Sequence, residues 1–283
     1  MRYLRIVLAA VALAWAGAEG VHAQAPSATS AAAPLGIGQT FTLESQALGE
    51  KRRINVYLPT AYTDSATVRL PVLYMPDGGI AEDFLHVAGL MQVLTGNGTM
   101  RPFILVGIEN TQRRRDLTGP TTVAEDKKIA PKVGGSAAYR QFIREELMPQ
   151  VKQRYRTTAE TAIVGESLAG LFVVETLVLE PKLFNTYIAF DPSLWWNNGQ
   201  LAAQGIKLVG AAGRPATTVY LATSSQGELK TTRQLVEAGG TEVARTGAWH
   251  YEPMPEETHA TIYHPAALRA FRAVFKPQAK GKR

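Results

Sequence analysis

Residues 161–179 read TAIVGESLAGLFVVETLVL, and no other stretch constrains the fold of this chain as tightly. Thr161, Ala162, Ile163 and Val164 have strand character, residues 165–170 form a tight turn, and an apolar helix follows. A serine, Ser167, stands at the bend. A strand that turns at once into a helix holds such a hydroxyl clear of the sheet, with the next backbone N–H beside it. Gly165 and the small pair Ala169-Gly170 suit the crossing, because the two arms of the turn run too close for larger side chains. The pattern G-x-S-x-G is met with Ala169 in its last place and Gly170 one residue later. A serine before an apolar run also serves as a helix N-cap, so a chemical role requires a base, an acid and an oxyanion hole elsewhere in the chain.

The 283 residues, 46% of them hydrophobic, suffice for one α/β domain with a large core, and no linker divides residues 40–275. There is no cysteine, which excludes disulfides, thiolate metal sites and a cysteine nucleophile. Arg2 and Arg5 precede an apolar run over 6–18 and the small-x-small triplet Val21-His22-Ala23, so residues 1–23 are expected to be a secretory signal peptide cut after Ala23. The competing reading, an uncleaved anchor, needs about 20 spanning residues, and the run is shorter. Residues 24–39, which include APSATSAAA, are expected to form a disordered leader, and residues 276–283 a basic tail. These features predict a bacterial periplasmic or secreted protein with no stable membrane anchor after cleavage. The formal charge of +6 leaves the mature chain basic. No basic stripe interleaved with aromatics appears, which argues against nucleic acid and leaves anionic small substrates.

Strand and helix patterns alternate through the remainder. Residues 40–48 and 52–59 alternate apolar and polar positions around Gly49-Glu50, as an antiparallel hairpin does. Nearly continuous apolar runs at 70–75, 102–108, 185–190 and 217–223 predict strands covered on both faces, and 249–254 a short last strand. Helical patterns occupy 82–94, 139–155 (with Pro149 set to kink or divide it), 229–238 and 265–275. The expected fold is α/β, with a mainly parallel central sheet, an antiparallel N-terminal hairpin and helices on both faces.

The candidate site lies at the carboxyl ends of these strands. A base for Ser167 comes best from His259, in the loop after the last strand; His250 and His264 are the alternatives. For the acid, Glu228 lies after the strand at 217–223, in the order Ser…Asp/Glu…His; Asp191, after the preceding strand, is the challenger, and a Ser–His dyad without an acid is third. The backbone N–H groups of Gly79, in Pro76-Asp77-Gly78-Gly79, and of Leu168 are the candidate oxyanion donors. Arg113 and Arg115 in the polar loop 109–120 are candidates for binding an anionic substrate, although charge runs are commonly just solvated. Trp195 and Trp196 either wall a substrate cleft or belong to the core. No cofactor and no metal are called for.

The pieces YLPTAY, LPVLYMPDGG, IENTQRRRDLTGP, GESLAGLF, FDPSLWW and ETHATIYHPAALRAF, in this order over residues 40–275, resemble the esterase D-like branch of the α/β-hydrolases. Within it they most resemble the siderophore-esterase group that includes bacterial periplasmic trilactone esterases. The resemblance implies an α/β-hydrolase fold and hydrolysis of carboxylic esters through a serine acyl-enzyme. Ser167 would be the nucleophile, His259 the base, Gly79 and Leu168 the oxyanion donors, and Glu228 the residue at the usual acid position. Two positions depart from the family pattern. Ala169 replaces the usual glycine, and Asp191 replaces the usual serine, which sets an extra carboxylate near the site and leaves the acid open. An anionic ferric catecholate siderophore is the small-molecule ester that the resemblance suggests. An acyltransferase of the same superfamily, or a binding module that keeps the fold without turnover, are the alternatives.

Overall fold

A computed structural model describes residues 32–33, 35–209, 215–243 and 248–277. The expected signal peptide, most of the expected leader and nearly all of the basic tail lie outside the described residues. From Gly36 onward the chain forms a single compact unit.

Its centre is an eight-stranded sheet in the order β1-β2-β4-β3-β5-β6-β7-β8. The hairpin strands β1 (Gln39–Ser45) and β2 (Glu50–Tyr57) pair antiparallel in the register Ser45 to Glu50, and β2 pairs antiparallel with β4 (Ile104–Ile108). All other pairings, through β3 (Leu70–Pro76), β5 (Thr157–Glu166), β6 (Thr186–Phe190), β7 (Thr218–Ser224) and β8 (Trp249–Met254), are parallel. The long apolar runs are the strands buried along their whole length, because helices cover both faces.

Side chains alternate between two cores, as the two-residue period of a strand requires. Val72, Tyr74, Ile163, Tyr187 and Ala189 face one core. Leu73, Met75, Ala162, Val164, Ile188 and Phe190 face the other. The second core is closed by α1 (Phe84–Gly96) together with the chain's last helix, through Phe84, Val87, Met91, Ala267 and Phe271. The first is closed by a long helical stretch over 136–154 and by the helix after Ser167.

That long stretch runs as α2 (Ser136–Gln141), a π-helical segment Phe142–Leu147, and α3 (Met148–Arg154). Pro149 therefore neither ends nor divides it. Proline has no N–H for the carbonyl one turn earlier, and the wider π turns stand where that bond would have been. The remaining long helices are α4 (Leu168–Leu179), α5 (Gln200–Val209), α6 (Leu229–Val243) and α7 (Tyr263–Val274), and shorter helical turns include Arg113–Asp116 after β4. Among the described residues no helix is long and apolar enough to cross a membrane.

Candidate active site

Ser167 joins β5 to α4 with φ 60° and ψ −119°, a conformation that L-residues rarely adopt. Three backbone bonds hold it there: its N–H donates to Phe190 O at 3.0 Å, and its carbonyl accepts from Leu171 N–H at 2.9 Å and Ser193 N–H at 3.1 Å. The side chain does not cap α4. Gly165 is required by the crossing, since a Cβ there would stand 2.6 Å from the Ala169 carbonyl carbon. Ala169 itself is accommodated and fully buried.

The loop after β8 brings His259 over the sheet, with Nε2 3.0 Å from Ser167 Oγ. The His259 backbone N–H donates to Gln226 Oε1 at 3.0 Å, which anchors the loop. His250 lies within β8 beside Tyr220, and His264 packs on His86, so neither alternative is at the serine.

The carboxylate on the far ring nitrogen is that of Asp191, with Oδ2 3.2 Å from Nδ1. Glu228, the expected acid, is not brought to the ring. Asp191 directly follows β6, whose Phe190 is paired with Glu166, so its turn opens beside Ser167. Glu228 lies beyond Ser224-Ser225-Gln226-Gly227 and is carried to the start of α6, where it lines a cleft with Trp195, Ala203, Thr231 and Gln234. Asp191, the challenger, satisfies the same Ser…Asp/Glu…His order one strand earlier. Asp191 has φ 39°, its side chain is 1% exposed, and Oδ1 accepts the Ser224 N–H at 2.6 Å while Ser224 Oγ donates to Oδ2. Burial works against its charge, but the His259 ring and the two Ser224 donors outweigh it and hold the carboxyl below the usual range. The His259 ring is raised, first by its hydrogen bond to Asp191, against burial, and further by the Glu166 and Asp191 charges.

The two candidate oxyanion donors differ in state. Gly79 N–H donates to Glu82 Oε2 at 2.7 Å, and Glu82 Oε1 accepts from Asn110 Nδ2 at 2.9 Å. Leu168 opens α4, where the first N–H groups of a helix have no partner within the helix.

The arginines separate as well. Arg113 grips Asp77 with two bonds, Nε to Oδ1 at 2.7 Å and a terminal nitrogen to Oδ2 at 2.8 Å, and its charge reaches both Glu166 and His259. Arg115, expected to meet substrate, has its charge answered within the fold: Nη2 bonds Glu50 Oε1 at 2.8 Å and Nε bonds Asp116 Oδ1 at 2.6 Å. The same two carboxylates hold the fully buried Arg52. The tryptophans divide too. Trp195 is 47% exposed in the cleft with Glu228, whereas Trp196 is 3% exposed and its indole N–H donates to Gly119 O at 2.9 Å.

Three acids at the site were not singled out from the sequence: Glu82, Asp83 and Glu166. Burial first, then the Asp77 charge, pushes Asp83 up to about 6. Glu166 is pushed up to about 7, also chiefly by burial. Its place in G-x-S, directly before the nucleophile, was the available signal. Among the described residues no cluster of His, Asp and Glu is arranged to hold a metal ion. The arrangement offers a hydroxyl, an imidazole and a carboxylate in hydrogen-bonded series, which is what the activation of an oxygen nucleophile requires.

The family model described as "Putative esterase" matches residues 45–261. Over 165 residues the chain is 30% identical to the ferri-bacillibactin esterase BesA of Bacillus subtilis, covering 52% of this chain and 56% of that protein. It is 32% identical over 177 residues to a siderophore triacetylfusarinine C esterase of Aspergillus fumigatus, covering 58% and 59%. The chain thus spans little more than half the length of these curated relatives. Among solved structures, an IroE-like serine hydrolase from Shewanella oneidensis superposes with a TM-score of 0.75 at 27% identity, over 84% of this chain and 80% of that one. The mainly parallel sheet with its antiparallel hairpin is the α/β-hydrolase fold.

Proposed function

The chain belongs to the esterase family whose model it matches, and from that premise we propose that it hydrolyses carboxylic esters through an acyl-enzyme on Ser167. The series Ser167 Oγ, His259 Nε2 and Nδ1, Asp191 Oδ2, at 3.0 and 3.2 Å, carries the reading. Ser167 Oγ attacks the ester carbonyl carbon while its proton passes to Nε2 of His259. Asp191 keeps the ring proton on Nδ1 and stabilises the imidazolium that forms. The charge that develops on the carbonyl oxygen falls to backbone N–H groups, Leu168 and Gly79, the latter after Glu82 releases it. Nε2 then returns the proton to the departing alkoxide, which leaves an acyl-serine. Water repeats the sequence to release the acid.

A siderophore ester is the substrate class that the named relatives favour. Arg113, Arg114, Arg115 and Lys132 line one groove; Arg113 and Arg115 are paired with acids of the fold, which leaves Arg114 and Lys132 to meet an anionic ester. Export by residues 1–23 would place the protein in the periplasm or outside the cell, where such ligands are met. The test is a substrate screen of ferric and iron-free catecholate trilactones against simple acyl and feruloyl esters, with fluorophosphonate labelling of wild type and Ser167→Ala. Turnover confined to simple esters removes the siderophore reading. Absence of both labelling and turnover removes the hydrolase.

A further inference from the structure

Nε2 of His259 has two oxygen neighbours. One is Ser167 Oγ at 3.0 Å and the other is Glu166 Oε1 at 3.3 Å. A ring nitrogen carries either a proton or a lone pair, so Nε2 cannot accept from Ser167 while it donates to Glu166. We propose that Glu166 is a positioning residue that holds a proton on Nε2 of His259, so that the ring is released as a base for Ser167 only at higher pH than Asp191 alone would set. The assignment rests on the reading of His259 as the base.

Both partners are fixed. Glu166 ends β5, its backbone is paired with Phe190, and its side chain is only 17% exposed. The ring is held from the other side by Asp191 and through its own backbone by Gln226. Four charged groups face Glu166 from the elements around it. These are His259 from the loop after β8, Arg113 from the helical turn after β4, and Asp77 and Asp83 from the segment between β3 and α1. Arg113 is already spent on Asp77 in a two-bond pair. The imidazolium, in contact at 3.3 Å, is therefore the larger counter-charge for the Glu166 carboxylate, and Arg113 acts on it from beyond ion-pair distance. The charged groups that act on His259 are Glu166, Asp191 and Arg113, the last against its protonation.

The consequences have opposite signs at the two ends of the pH range. Below about pH 7 the buried Glu166 carboxyl keeps its own proton; as it ionises, its charge stabilises the imidazolium and withholds the base. Once the extra proton has gone to solvent, the Ser167 hydroxyl turns onto the vacated lone pair. When Nε2 then takes the Ser167 proton, the same carboxylate stabilises the ion pair so formed. A weaker hold on the proton gives an earlier but weaker base.

The experiment follows the His259 ring by NMR titration of the full chain, in wild type, Glu166→Gln and Glu166→Asp, with the signal assigned by its loss in His259→Gln. The rate of fluorophosphonate labelling is measured across the same pH range. Glu166→Gln is expected to lower the titration midpoint and the rising limb of labelling by about one pH unit and to lower the high-pH plateau a few-fold. Glu166→Asp, with its carboxylate drawn back by one methylene, is expected to move both part of the way, and it decides the matter if Glu166→Gln does not fold. A midpoint that stays where it is, or rises, overturns the assignment. A ring that shifts in a protein that never takes label keeps the role of Glu166 and removes the hydrolase, whereas a labelled protein with an unmoved ring does the reverse.

Discussion

Gly227 packs against Asp191 so closely that a methyl group in place of its hydrogen would overlap Oδ1 of the carboxylate. The missing side chain at the turn after β7 is thus what gives the acid room to face the ring of His259, 3.2 Å away. Gly227→Ala is expected to displace that carboxylate and to lower kcat by roughly ten- to a hundredfold, as misplacements of about 1 Å do. KM should change little. Steady-state kinetics on an ester cleaved by the wild type reads both, and an unchanged kcat would show that the turn yields without moving Asp191.

Asp191 and Glu228 are distinguished by their amides. Asp191→Asn is expected to lower kcat by about 10⁴, because the amide favours the wrong ring tautomer. Glu228→Gln, at a residue that makes no bond to the ring, is expected to stay within about twofold of wild type, since it removes nothing from the transition state. Equal losses in the two variants would return the acid to an open question.

Glu82 competes with substrate for Gly79. Its carboxylate takes the Gly79 N–H at 2.7 Å, and a charged acceptor holds such a donor about twice as strongly as a neutral one. Glu82→Gln, whose amide oxygen is a weaker acceptor, is therefore expected to raise kcat/KM a few-fold by loosening the hold on the donor that the developing oxyanion needs. A fall instead would identify Glu82 as a brace for the loop and remove Gly79 from the oxyanion hole.

Arg115 and Asp116 belong to stability. Asp116→Ala takes from the fully buried Arg52 one of its two carboxylates and leaves it Glu50, so the loss is expected to fall below the about 3–5 kcal/mol of a buried pair broken outright. Chemical denaturation should show this as a lower midpoint, while Arg115→Ala should shift the midpoint and leave KM near wild type. A KM effect without a stability effect would restore Arg115 to the substrate.

The same network predicts an acid limb. Glu50 is lowered to about 2, chiefly by its hydrogen bond to Arg115. A carboxyl of ordinary value near 4.3 in the unfolded chain then binds protons more readily unfolded than folded. Its contribution is complete above about pH 4.3 and is lost as pH falls toward about 2. Stability measured from pH 7 to pH 2 should fall across that window in wild type, and Glu50→Gln should be less stable at pH 7 with a shallower fall.

The sheet was legible because its strands are covered on both faces and read as unbroken apolar runs, as at Leu70–Pro76 and Ile104–Ile108. Ser167 was legible for a local reason, since Gly165 and Ala169 make a crossing that few other residues allow. The partners of the ring were harder, because they depend on which loop tip opens beside which strand. Asp191 gains its place from the pairing of β6 with β5 and its room from Gly227, neither of which is local in sequence. Charge was the least legible property. Arg113 and Arg115 stand two residues apart, yet one lies beside the candidate site and the other is answered by Glu50 and Asp116.

The histidine hangs from the sheet's outermost strand. Ser167 and Asp191 follow β5 and β6, each gripped by a strand on either side, whereas His259 follows β8, whose only neighbour among the described strands is β7. Local opening begins where such support is least. The site is thus a joint between a half held by strands on both sides and a half held by a strand on one side and by the bonds of its loop. Warming is therefore expected to loosen ring from hydroxyl before the scaffold melts, so that activity fades below the melting midpoint and returns on cooling.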